Sequence, residues 1–91
     1  MNGISIYKTD VYPNKLSVMA AASGMLMRAV LSMSDDEYRN GRSVRVVLHY
    51  RHPKGDIRAG VFEIGGYPRE SSTRTAVEHE IERAVLQGML S

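Results

Sequence analysis

Residues 43–64, SVRVVLHYRHPKGDIRAGVFEI, contain two alternating segments separated by a turn. A side-chain period of two is typical of a β-strand whose two faces meet different environments. Between the segments, Pro53 presets its own φ and Gly55 accepts a positive φ, so His52–Gly55 is predicted to form the turn. The stretch therefore predicts a β-hairpin.

The register of this hairpin determines which side chains share a face. A turn that pairs Arg51 with Asp56 sets Val46 opposite Val61. The alternation then gives the hairpin one apolar face and one cationic face that also carries an aromatic ring. The cationic face is predicted to contain Arg45, Val47, His49, Arg51, Arg58 and Phe62.

The chain before the hairpin predicts a short strand followed by a long helix. Residues 4–8 alternate, and residues 14–33 repeat apolar side chains every three or four positions, with Asn14 as the predicted N-cap. The main inward stripe of the helix is predicted to be Leu16, Met19, Ala20, Ser23, Met27, Val30 and Leu31. A second, weaker apolar row contains Val18, Ala22, Met25 and Ala29.

Capping boxes predict where two further helices begin. Ser34, with Glu37 three residues later, predicts a short helix that Gly41 would end. Thr75, with Glu78, predicts the start of the last helix, and Ser71 and Ser72 are alternative caps for it. The inward stripe of the last helix is predicted to contain Val77, Ile81, Ala84 and Val85.

The element order β-α-(short α)-β-β-α predicts an α+β fold in one compact domain, residues 1–91. The expected packing is a three-stranded sheet with both main helices on one face, and a crossover through the first helix connects the first two strands. This packing leaves the other sheet face, which is the predicted cationic face, open to solvent or to a partner.

Composition and charge narrow the class of protein. The formal net charge is +2, and there are no cysteines, so disulfides, thiolate nucleophiles and cysteine zinc sites are excluded. Residues 1–9 lack the basic start and apolar run of a signal peptide, and residues 16–33 are too polar for a bilayer-spanning helix. We expect a cytoplasmic protein with no membrane partner.

Motifs for catalysis or metal binding are not found in the sequence. His79–Arg83 has the outline of a zinc-binding helix, but Arg83 stands where a second histidine is needed. Ser71 and Ser72 do not lie in a Gly-x-Ser-x-Gly elbow, and Gly65-Gly66 is not followed by the Lys-Ser pair of a phosphate-binding loop. We therefore expect a protein that is not an enzyme and has no metal or cofactor.

Binding through the cationic face is the predicted activity. Its arginines suit acidic side chains of a protein partner, with apolar residues as anchors, or alternatively the phosphates of a nucleic acid. The predicted binding residues are Arg45, Val47, His49, Arg51, Lys54, Arg58, Phe62 and Tyr67.

Three functions fit this description. The favoured interpretation is a small inhibitor or modulator, of the kind that phages and mobile elements encode, which docks on a larger protein or nucleoprotein machine. The first alternative is a nucleic-acid-binding module that uses the same face. The second alternative is a homodimeric structural or accessory protein whose first helix makes the contact through Val18, Ala22 and Met25.

Overall fold

The strands and helices follow the order β-α-β-β-α, which places the chain in the α+β class as predicted. The computed structural model describes residues 3–34, 36–37, 40–65 and 74–90. The strands are β1 (Gly3–Tyr12), β2 (Ser43–Arg51) and β3 (Ile57–Gly65), and the helices are α1 (Lys15–Ser32) and α2 (Arg74–Leu90).

The strands form one sheet in the order β1-β2-β3. The central strand β2 pairs parallel with β1 and antiparallel with β3. A parallel neighbour requires a long crossover, and α1 supplies it. Strand β1 extends beyond the predicted residues 4–8 because pairing resumes at Val11 after a shift in register that follows Tyr7.

The start of α1 confirms the predicted cap. Asn14 has an extended backbone, and its Oδ1 accepts a hydrogen bond from the backbone N–H of Ser17 at 2.9 Å. This bond satisfies one of the N–H groups that the first turn of a helix leaves without a partner. No helix among the described residues is long and apolar enough to cross a bilayer.

The prediction of which row of α1 faces the core is confirmed at Val30 and is wrong for the rest of the row. The helix buries Val18, Ala22, Leu26 and Val30, so the core row contains two members of the weaker row, whereas Leu16 is 76% exposed. The apolar side chains of α1 occupy more than one side, so their spacing alone does not select the side that meets the sheet. Because Val18 and Ala22 are fully buried, they cannot form the predicted dimer contact. Met25 is half-buried and packs against the core.

The inward stripe of α2 is confirmed, since Val77, Ile81, Ala84 and Val85 are all buried. Its predicted cap is not, because Thr75 already lies inside the helix, which includes Arg74. The alternative caps Ser71 and Ser72 lie outside the described residues.

The capping box before β2 is confirmed. The backbone N–H of Glu37 donates to Ser34 Oγ at 3.2 Å, and the backbone N–H of Ser34 donates to Glu37 Oε1 at 3.3 Å. Of the short helix that this box was predicted to start, the structure describes only residues 36 and 37 as helical. The short helix therefore stays a prediction.

The hairpin turn is tighter than predicted. The backbone N–H of Gly55 donates to the carbonyl of His52, and the N–H of His52 donates to the carbonyl of Asp56, both at 2.8 Å. Gly55 has a φ of +97°, which lets a turn over Pro53–Gly55 close the hairpin with His52 and Asp56 facing each other. As a result Arg51 pairs with Ile57 and not with Asp56.

This difference of one residue reverses the faces of β3. Val46 lies opposite Phe62, and Val47 lies opposite Val61. A one-residue change in register moves every side chain of a strand to the other face of the sheet. Phe62, which was predicted to be on the open face, is therefore fully buried in the core against the helices.

Candidate functional site

The sheet face that the helices leave uncovered is open to a partner. We call it the outer face. The cross-strand pairing assigns to it Ser5, Tyr7, Val11, Arg45, Val47, His49, Arg51, Ile57, Ala59, Val61 and Glu63.

An apolar row crosses the middle of the outer face. Val47 of the central strand is the register partner of both Tyr7 and Val61, so the three side chains stand side by side. Tyr7 is 69% exposed and Val61 is 48% exposed. Directly opposed residues on one face have Cβ atoms about 5 Å apart, so this row is continuous.

The next rows toward the hairpin turn extend the apolar surface. His49 pairs with Val11 on one side and with Ala59 on the other, and Val11 is half exposed. Beyond them Arg51 stands opposite Ile57, which is 46% exposed. The outer face is therefore apolar over most of its length, with polar residues at its two ends.

The charges of the outer face are at its ends and are partly neutralised. At one end, Nε and Nη2 of Arg45 donate to Oε2 of Glu63 at 3.1 and 3.0 Å. At the other end, Nη1 of Arg51 contacts the carbonyl of Gly55 at 3.5 Å. An exposed ion pair of this kind contributes about 1 kcal/mol or less, but it removes Arg45 as an unpaired cation.

Several predicted binding residues are not on the outer face. Phe62 is in the core, and Lys54 is in the turn. Arg58 lies opposite Tyr50 on the other side of the sheet, where its Nε donates to Oδ2 of Asp56 at 2.7 Å. Tyr67 lies outside the described residues. Four of the predicted residues do share the outer face, namely Arg45, Val47, His49 and Arg51.

The sequence interpretation also missed residues of the outer face. The large apolar residues among these are Tyr7, Val11, Ile57 and Val61, and all four are exposed. Tyr7 could have been found, because it alternates with Ile4 and Ile6 in the first strand. The assignment of β3 side chains to a face depended on the hairpin register. The sequence signal for that register was Gly55, which follows Pro53-Lys54.

The hairpin end next to Arg51 has a polar network of its own. Nδ1 of His52 accepts a hydrogen bond from the backbone N–H of Lys54 at 3.2 Å, and the same nitrogen lies 3.9 Å from Oδ1 of Asp56. Partial burial of the ring lowers the pKa of His52 below its ordinary 6.5, and the nearby Arg58 lowers it further. The hydrogen bond from Arg58 lowers the pKa of Asp56 below its ordinary 3.8.

The described residues contain no group of three or more His, Asp or Glu side chains that could hold a metal ion. Comparisons of the chain with protein-family models, with curated proteins and with solved structures find no match.

Proposed function

We propose that the protein is a small non-catalytic modulator that docks on a protein partner through its outer face. The observation that carries this proposal is the exposed row Tyr7–Val47–Val61 at the centre of that face. Contiguous apolar patches on soluble domains are typical of interaction sites. The protein would act by covering the surface of its partner.

The arrangement of the outer face matches the anatomy of protein interfaces. Such interfaces have an apolar centre, often with a tyrosine, and a polar rim. Tyr7 and the valines supply the centre, and the Arg45–Glu63 pair and Arg51 supply the rim. Complete burial of a valine side chain contributes about 1.5–3 kcal/mol, so a partner that covers this row gains a useful part of its affinity there.

The charges favour a protein partner over a nucleic acid. Binding to phosphates depends on unpaired Lys and Arg side chains along the contact surface. On the outer face Arg45 is bonded to Glu63, and the rows between Arg45 and Arg51 are mainly apolar. The partner that fits has an apolar surface with an acidic side chain positioned to meet Arg51.

The proposal is tested by capture of partners from the native host with and without nuclease. The bait is either the wild-type chain or the double variant Tyr7→Ser with Val61→Ser. The control variant is Leu86→Ser, because Leu86 lies on α2 and is 46% exposed. We expect the wild-type bait to capture one protein that remains bound after nuclease treatment. The captured amount of that protein should fall by about tenfold with the double variant and should be unchanged with Leu86→Ser. The proposal fails if the double variant retains that protein, or if only nucleic acid is recovered.

A further inference from the structure

A second surface lies on the helix layer, between α1 and α2. We call it the helix groove. It is an open groove with a volume of about 400 Å³, and it is lined by Met19, Ala20, Ser23, Met27, Glu78, Glu82 and Val85. No strand residue contributes to it, so it is separate from the outer face.

The floor of the helix groove is apolar and adaptable. Met19 and Met27 are half-buried on α1, and Val85 is buried on α2. Methionine side chains are flexible and polarisable, and they are common at surfaces that accept apolar partners of varied shape.

The apolar stripe of α1 extends past both ends of the groove. Leu16 is 76% exposed and Leu31 is 47% exposed, and neither belongs to the buried core. These residues belong to the stripe that the sequence predicted to face the sheet. A helix rises 1.5 Å per residue, so the stripe from Leu16 to Leu31 is about 22 Å long, which equals roughly four helical turns.

The charged residues of the groove lining are both acidic. Glu78 and Glu82 are exposed and lie one helical turn apart on α2, and among the lining residues that the structure describes there is no Lys or Arg. A groove with an apolar floor and an acidic border on one side is complementary to a helix with an apolar stripe and a basic flank.

We propose that the helix groove binds an amphipathic helix of a partner protein, with apolar residues at i, i+4 and i+7 and with Lys or Arg along one flank. The apolar side chains of that helix lie between Met19, Met27 and Val85, and its basic flank lies beside Glu78 and Glu82. The geometry is that of a third helix packed into the groove between two others.

The probe is a fluorescently labelled leucine–lysine helical peptide of about 18 residues, long enough to follow the stripe of α1. The control peptide has every lysine replaced by glutamate, which reverses its charge. We expect the wild-type protein to bind the lysine peptide about tenfold more tightly than the glutamate peptide, as measured by fluorescence anisotropy. Circular dichroism of the mixture should show that the bound peptide is helical.

Two double variants distinguish binding in the helix groove from general electrostatic attraction to the protein. Glu78→Lys with Glu82→Lys should reverse the preference between the two peptides. Asp10→Lys with Asp36→Lys changes the net charge by the same amount at exposed positions outside the groove and should keep the wild-type preference. If both double variants change the preference equally, the proposal is overturned.

A variant of the floor tests the apolar contact. Met27→Glu should weaken binding of the lysine peptide by about tenfold or more, because it places a charge where the apolar stripe of the peptide packs. If binding is unchanged, the peptide does not occupy the groove. If the wild-type chain sediments as a dimer that Met27→Glu converts to a monomer, the occupant is a second copy of this chain and the proposal is wrong.

Discussion

The ring of Phe62 lies between two glycines that approach it closely. A Cβ added to Gly88 of α2 would lie 2.5 Å from Cδ1 of that ring and 2.7 Å from the carbonyl oxygen of Val61. A Cβ added to Gly60 would lie 2.9 Å from Cε2 of the same ring. The absence of side chains at these two positions lets α2 pack directly on β3.

Gly88→Ala should therefore destabilise the protein, although this exchange inside a helix normally stabilises by about 0.5–1 kcal/mol. Overpacking of a core costs about 1–3 kcal/mol, and the carbonyl of Val61 cannot move aside as a flexible side chain can. We expect a net loss of about 1–2 kcal/mol in the free energy of unfolding. Urea denaturation followed by circular dichroism measures it.

Gly24 of α1 is the matched control for this exchange. A Cβ there meets only Nη1 of Arg28, at 3.7 Å, which is an ordinary contact with the end of a flexible side chain. Gly24→Ala should raise the free energy of unfolding by about 0.5–1 kcal/mol. If Gly88→Ala stabilises the protein as much as Gly24→Ala does, then α2 does not pack closely on Phe62 at Gly88.

At the scale of the element, the hairpin turn gives the protein a dependence on pH. The pKa of His52 is lower in the folded chain than its ordinary 6.5, so the unfolded chain binds more protons below pH 6.5. The contribution of His52 to stability is complete above pH 6.5 and is lost as the pH falls from there through the lowered pKa. We expect the urea midpoint of the wild-type protein to fall between pH 7 and pH 5.

The urea midpoint of the variant His52→Asn should fall less than that of the wild-type protein between pH 7 and pH 5. Asparagine can accept the hydrogen bond from Lys54 in a turn, but it does not titrate. The carboxylates of Asp56 and Glu37 have pKa values below their ordinary 3.8 and 4.5, so their contributions are lost at lower pH than that of His52. An equal decline in the variant would show that His52 is not the group responsible.

The same turn shows how far sequence patterns determined the candidate surface. Alternation placed Arg45, Val47, His49 and Arg51 together correctly, because that grouping needs only the period of one strand. The faces of β3 depended on one residue in the turn, where Gly55 bonds to His52 and brings Asp56 opposite it. Phe62 was therefore assigned to the wrong face, and Val61 was missed.

At the scale of the whole molecule, the order of elements and the use of one sheet face by both helices were predictable from capping residues and spacing. The rotation of α1 was not, because its apolar side chains cover more than one side. The row that packs against the sheet contains Val18, Ala22, Leu26 and Val30. The row of Met19 and Met27 lies beside α2, where it lines the helix groove, and Leu16 and Leu31 continue it past the two ends.

The two proposed surfaces lie on different layers, since the outer face belongs to the sheet and the helix groove to the helices that cover its opposite face. Substitutions at distant sites without shared partners act independently. Tyr7→Ser with Val61→Ser should therefore leave the affinity of the groove for the leucine–lysine peptide within about twofold of wild type. Anisotropy titration of the variant measures this, with unchanged urea unfolding as the check on its fold. A change of about tenfold would mean that the core couples the two surfaces.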